Sequence, residues 1–208
     1  MKRWLSLCCA VLLVLSLAAC GGEFSTPQKT AAAFFRAMQT LDVDAMNACG
    51  AENGLIVWDL AAQNVGDAQQ IMAFLRDLAA QLDYTVTGTE TDEDRAQVEV
   101  SVQYADASLF VKSTMTDVMA NMMMALFGEE VDSNAQSQFY KLLREKLKTE
   151  TLPVQTADVT LPMEKTADGW RIRELPDLLF TVMTGNTTDM LQEAADTFSG
   201  VAGAQVEP

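Results

Sequence analysis

Between Ala96 and Tyr104 every second residue is apolar (Ala96, Val98, Val100, Val102, Tyr104) and those between are polar. No other stretch limits the possible folds of this chain so tightly. Successive strand side chains point to opposite faces, so a period of two describes a strand with one covered and one wet face; wound into a helix, the same residues would scatter around the axis. Tyr84 and Val86 alternate likewise before an acidic turn around Asp92 to Asp94, and the two segments read as an antiparallel hairpin. Alternation returns in Ala157, Val159, Leu161 and Met163, turns at Asp168-Gly169, and continues in Trp170 and Ile172, a second hairpin. Four strands with one apolar face need a cover.

Amphipathic helices supply it. Thr26 as N-cap and Pro27 at the first helical position announce a helix bearing Phe34, Phe35, Met38 and Leu41. Asp42 caps a second, short one through Ala45 and Met46. The stretch "GLIVWDL" fits either a buried helix or a strand. After Asp67, Ile71, Leu75, Leu78 and Leu82 recur at helical spacing. Two helices separate the hairpins, one with Val111, Met115, Val118, Met119, Met122 and Leu126, the other, after Asn134, with Phe139, Leu142, Leu143 and Leu147. Pro176 opens a helix with Leu178, Leu179, Val182 and Met183 that stops near Gly185, and a last helix runs from about Thr188 to Phe198. No repeat of 20 to 50 residues is visible. The pattern predicts an α+β fold, a curved antiparallel sheet of about four strands packed against these helices. Its expected limits are residues 27–200, with a helical insertion at 108–150 and a loose tail at 201–208.

The amino terminus carries a different message. Lys2 and Arg3 precede an apolar run from Trp4 to Ala19, the pattern of a secretory signal peptide. Ala18 and Ala19 are small enough to precede a cleavage site. Leu17-Ala18-Ala19-Cys20 resembles the lipobox of bacterial lipoproteins. The resemblance implies removal of residues 1–19 and a diacylglycerol on the Cys20 thiol, with a further acyl chain such as palmitate on the new terminus. Residues 20–26 then form a short tether to the domain. Two chains hold where one is marginal, since each buried methylene contributes about 0.8 kcal/mol. The expected location is the extracytoplasmic face of the cell membrane, in the cell envelope.

Charge and cysteine usage fit that placement. The chain has 14 Lys and Arg against 29 Asp and Glu; loss of Lys2 and Arg3 leaves 12 basic residues and a net charge of −17. Such a surface repels nucleic acid, so no nucleic-acid partner is expected. Cys8 and Cys9 leave with the signal and Cys20 takes lipid, so Cys49 remains without a disulfide partner. Its neighbours Asn47, Ala48, Gly50, Ala51 and Glu52 offer no positive charge to make a thiolate, which marks a buried structural cysteine. Histidine is absent, which removes the serine triad, the Cys-His dyad and His-containing zinc sites. No phosphate-binding glycine motif is present. "TETDEDRA", with Asp92 and Asp94, lacks the glycine and terminal glutamate of a calcium loop and reads as a solvated turn. No cofactor and no metal are expected.

The order "TPQKTAAAFFRAMQTLDVDAM", "VEVSVQYAD", "DGWRIRELPDLL" is similar to bacterial lipoproteins of unknown function with the cone-shaped nuclear transport factor two-like (cystatin-like) fold. The resemblance covers most of residues 26 to 185. It implies an N-terminal helix against a curved sheet closed by the Asp-Gly-Trp-x-Ile strand, with a pocket between helix and sheet and no shared reaction. The insertion from Ser108 to Glu150 departs from the plain cone.

Two features invite sharper readings. Met115, Met119, Met122, Met123 and Met124 could ligate cuprous ion through their thioethers, but their spacing with Val111, Val118 and Leu126 fits a core or groove stripe better. Met115, Met119, Met122 and Trp170 are therefore the residues of an expected ligand groove. Lys141, Arg144, Lys146 and Lys148 crowd one helix; they suit a polyanion, or a solvated face that offsets nearby acids. Together these point to a noncatalytic, membrane-anchored lipoprotein that binds an apolar small molecule, a peptide or an envelope protein. The alternative is an isomerase- or dehydratase-like enzyme, a use to which other proteins with the cone resemblance are put, and Asp158, Tyr84 and Tyr104 are its candidate residues. Strand parity turns Asp158 away from the face of Ala157 and Val159.

Overall fold

The computed structural model describes residues 22–50, 68–125 and 135–204. The signal peptide, Cys20, the "GLIVWDL" stretch, Leu126 and residues 205–208 lie outside the described residues, as does the side chain of Met122. Helix α1 (Pro27–Thr40) begins as its sequence dictates. The Thr26 hydroxyl accepts the Lys29 amide at 3.3 Å, Pro27 opens the first turn, and Leu41 closes the helix at φ 51, its N–H donating to the Ala37 and Met38 carbonyls. Asp42 then caps α2 (Val43–Ala48), accepting the Ala45 amide at 3.0 Å. In α3 (Ala68–Ala79), Phe74, Leu75, Leu78 and Ala79 are buried.

Strands β1 (Asp83–Asp92), β2 (Arg95–Ala105), β3 (Val154–Thr166) and β4 (Gly169–Ile172) form one antiparallel sheet in the order β1-β2-β3-β4. Helices α4 (Ser108–Ala125) and α5 (Ala135–Leu147) interrupt it between β2 and β3; α6 (Asp177–Thr184) and α7 (Thr188–Ala204) follow β4. The register pairs like with like. Val98 faces Leu161, Val100 faces Val159 and Ala96 faces Met163 on the buried side, while Glu99 faces Thr160 and Ser101 faces Asp158 on the other. Val98, Val100, Val102, Trp170 and Ile172, the residues expected to face the helices, are all buried. A bulge between Val86 and Gly88 shifts the register of β1, so that Thr89 rather than Gly88 stands opposite Val98. Beyond that bulge the parity of the strand is reversed.

Helices α1, α3 and α6 touch the sheet. The insertion forms a second layer: α5 packs on α3, and α4 and α5 pack on each other and on α7. Phe34, Phe35 and Met38 fill the space between α1 and the strands, where the Phe35 ring stacks on Tyr84 at 5.1 Å. The observed architecture is thus α+β, with a four-stranded antiparallel sheet, covering helices and a helical insertion. Two details differ from the sequence reading. The second turn is Ala167-Asp168, because Gly169 already pairs with Thr166. The last helix continues through Gly200 and Gly203 to Ala204, where the sequence predicts a loose tail from 201.

Candidate functional site

The outer edge of β4 is closed by two segments of the same chain. The Trp170 N–H donates to the Phe24 carbonyl at 2.8 Å, and the Ile172 N–H donates to that of Cys49 at 2.8 Å, where Gly50 bridges Ile172. An edge so covered offers no template to another strand. Phe24 is fixed from several sides. The Arg171 guanidinium lies 3.9 Å from its ring centroid, and Arg36 pairs with the neighbouring Glu23 at 3.3 Å. Gly169, at φ +110, passes directly beneath: a Cβ there would lie 2.5 Å from the Phe24 carbonyl oxygen. The Thr30 hydroxyl, fully buried in α1, donates to the Trp170 carbonyl at 3.1 Å. Residues 23–25 thus form a strap across the edge of β4.

Cys49 is buried at the same edge, its thiol donating to the Ala45 carbonyl at 3.3 Å. Burial, reinforced by Glu23 and opposed by Arg171 and Arg36, pushes its pKa from 9.0 to about 11. A thiol held protonated is a poor nucleophile.

The expected groove is not assembled. Trp170 is buried at the turn end of the sheet, against the strap and α1, whereas α4 leaves β2 at Ala105, beside Val154, the opposite end. Along α4 the buried residues are Phe110, Val111, Thr114 and Val118; Met115 is half-buried and Met119 is 40% exposed. The methionine stripe therefore lies at the margin of the packed face. Of the basic residues Lys141, Arg144, Lys146 and Lys148, half are engaged: Arg144 pairs with Asp77 of α3 at 3.1 Å, and Lys146 with Asp117 of α4 at 3.1 Å. Lys141 and Lys148 are exposed.

Nor do the residues named for an enzyme converge. Tyr84 lies on the helix-facing side and donates its hydroxyl to the Ala32 carbonyl at 3.1 Å. Tyr104 is half-buried on the same side, its pKa raised by burial and by Asp106. Asp158 is exposed on the opposite face, across from Ser101. Among the described residues the buried polar side chains are Thr30, Thr114, Thr184 and Thr187, and no group of three or more His, Cys, Asp or Glu is placed to hold a metal ion.

A cleft that the sequence reading did not anticipate opens at the far end of the sheet. It has a volume of about 300 Å³ and is lined by Ser108, Phe180, Thr181, Thr184, Asn186, Thr188, Asp189 and Met190. The Ala107 N–H donates to the Gly185 carbonyl at 2.9 Å, tying the start of α4 to the α6–α7 turn. Asp106 accepts the Ser108 amide at 3.0 Å and its hydroxyl at 2.7 Å. Burial raises its pKa, but those bonds and one from Asn186 outweigh burial and hold the carboxyl below its ordinary value. The Thr188 hydroxyl donates to that of Thr184 at 3.1 Å, and Thr184 donates in turn to the Phe180 carbonyl at 2.9 Å. Much of the polar lining is therefore already engaged. At the rim Phe180 is 43% exposed, and Leu109, beside Ser108, is 75% exposed. A second cleft of about 480 Å³, lined by residues such as Glu90, Arg95, Pro162 and Arg173, lies at the turn end and mixes both signs of charge.

No protein-family model and no curated protein matches the chain. Among solved structures, it is similar to a protein from Thiobacillus denitrificans described as a calcium/calmodulin-dependent protein kinase type II association domain. The two are 17% identical, with a TM-score of 0.36 over 73% of this chain and 92% of that one. A likeness so distant transfers neither family nor activity.

Proposed function

We propose that this chain is a lipid-anchored extracytoplasmic lipoprotein that acts by binding. Residues 1–19 are the signal peptide, Cys20 bears the diacylglycerol, and the α+β domain holds a small amphipathic ligand in the cleft between Ser108 and Asp189. The observation that carries the binding half is the character of that cleft: an exposed Phe180 ring beside the hydroxyls of Ser108, Thr184 and Thr188, each of which already donates to another group of the chain. Such a lining offers a ring to stack on, with Asp189 as the single ionisable side chain among the lining residues. The anchoring half rests on the run of charge, apolar core, Leu17-Ala18-Ala19 and Cys20. The cone resemblance fits both halves, because the lipoproteins that carry it share no reaction.

Mass spectrometry of the membrane fraction tests the anchor; an unmodified Cys20 on membrane-bound protein refutes it. For the cleft, native mass spectrometry of the soluble domain after exposure to envelope lipid extract should show a retained small molecule, lost in Phe180→Ala at unchanged thermal stability. Retention equal to wild type in that variant places the ligand elsewhere, and turnover of the retained molecule overturns the noncatalytic reading.

A further inference from the structure

We infer that the two hairpin turns face the lipid bilayer and that the cleft at Ser108 and Phe180 is held away from it. This orientation rests on the anchoring reading above and deepens it. Cys20 and Phe24 are four residues apart, so the lipid attachment lies within about 14 Å of Phe24 however the intervening chain runs. Phe24 is fixed over Gly169 and Trp170 beside the Ala167-Asp168 turn, and the Lys165 N–H donates to the Asp94 carbonyl at 2.8 Å, which places the Glu93-Asp94 turn at the same end of the sheet. From Arg95 to Ala105, β2 covers ten residue steps, a length of about 33 Å. The cleft begins beyond its far end, where Gly185 lies against the Ala105 carbonyl. Attachment is at one pole and the cleft at the other.

Charge gives the body a reason to stand rather than lie down. Lys29, Arg36, Arg95, Lys165, Arg171 and Arg173 surround the strap and the turns, half of the 12 basic residues that follow Cys20. They face eight carboxylates there, those of Glu23, Glu90, Asp92, Glu93, Asp94, Glu164, Asp168 and Glu174. Elsewhere among the described residues the other six basic side chains are set against fourteen acidic ones. An anionic bilayer repels that more acidic remainder within a Debye length of about 8 Å at physiological salt and repels the turn end less.

The test uses the full lipidated protein in phosphatidylcholine–phosphatidylglycerol vesicles containing a headgroup-linked quencher. A fluorophore is attached at Asp168→Cys in one sample and at Leu109→Cys in another; both positions are exposed, and Cys49 is buried and protonated. The expected result is strong quenching at position 168 and none at 109. Equal quenching at both positions, or the reverse order, overturns the orientation. Mass spectrometry of the same vesicle-bound samples separates the two readings: diacylglycerol on Cys20 with the wrong quenching order refutes the orientation alone, and bare Cys20 refutes the anchor and the orientation with it.

Discussion

Gly169→Ala probes the strap directly. Gly169 sits at φ +110, and its new methyl would meet the Phe24 carbonyl oxygen at 2.5 Å and Phe24 Cβ at 3.0 Å. Both partners are close, and the nearer is backbone. Two costs follow. Forcing alanine into this backbone region costs about 1–3 kcal/mol, and pushing the Phe24 carbonyl away breaks its 2.8 Å bond from the Trp170 N–H, worth about 0.5–1.5 kcal/mol net. The total of about 1.5–4.5 kcal/mol corresponds to a fall in melting temperature of roughly 3–18 °C for a domain of this size. Thermal unfolding followed by circular dichroism, in protein of residues 20–208 with Cys20→Ser, measures it. The control removes the residues before Ser25 and with them the Phe24 carbonyl. In that shorter protein the same substitution should cost only the backbone strain, about 1–3 kcal/mol. A loss equal in both backgrounds, or below about 0.5 kcal/mol in the longer one, would show that the strap does not bear on Gly169.

Two threonines make a contrasting pair. Thr30→Val leaves the Trp170 carbonyl without the hydroxyl at 3.1 Å and should lower stability by about 1–2 kcal/mol in urea unfolding. Thr114→Val removes a buried hydroxyl that has no hydrogen-bond partner; stability should stay level or rise, and a loss above about 1 kcal/mol would contradict the unpartnered assignment. The Cys49 thiol ionises near 9.0 in the unfolded chain and at about 11 in the folded one. Its contribution is therefore fully present below pH 9 and is lost as pH rises through 11, and Cys49→Ala should flatten the stability–pH curve in that window. Asp42→Ala removes the cap of α2 and should cost about 0.5–2 kcal/mol.

The sheet and the first helices were legible because their signals are local. Thr26 and Asp42 each accept an amide three residues on, Pro27 presets the first turn, and Val98, Val100 and Val102 declare their face by spacing alone. Legibility fails where geometry interrupts a period. After Val86 the bulge reverses the parity of β1, and "TGTETD" reads as a polar run although Thr89 and Thr91 stand opposite Val98 and Ala96. Gly169 draws the turn assignment one residue late, since a glycine with positive φ usually marks a turn and here opens a strand beneath Phe24. In α4 apolar residues occur all round the helix, so the sequence could not tell the stripe of Val111, Thr114 and Val118 from that of Met115 and Met119.

The candidate cleft was invisible for a related reason. Its lining comes from the first residue of α4, the last turns of α6, the Asn186 turn and the first turn of α7, joined by the bond from the Ala107 N–H to the Gly185 carbonyl. No period describes residues gathered from element ends so far apart in the chain. The periodic half of the sequence is, by its nature, the half that disappears into the core: Val98, Val100, Leu161 and Ile172 are all buried. A pattern that reports burial cannot also report a surface for a ligand. What it can do is exclude. The apolar face of the sheet is filled by Phe34, Phe35 and Met38, so a ligand entering between α1 and the strands would have to displace close-packed side chains. The proposed ligand site therefore lies not between α1 and the strands but at the pole beyond Ala105, where the sheet has ended and the helices still present Phe180 and Leu109 to solvent.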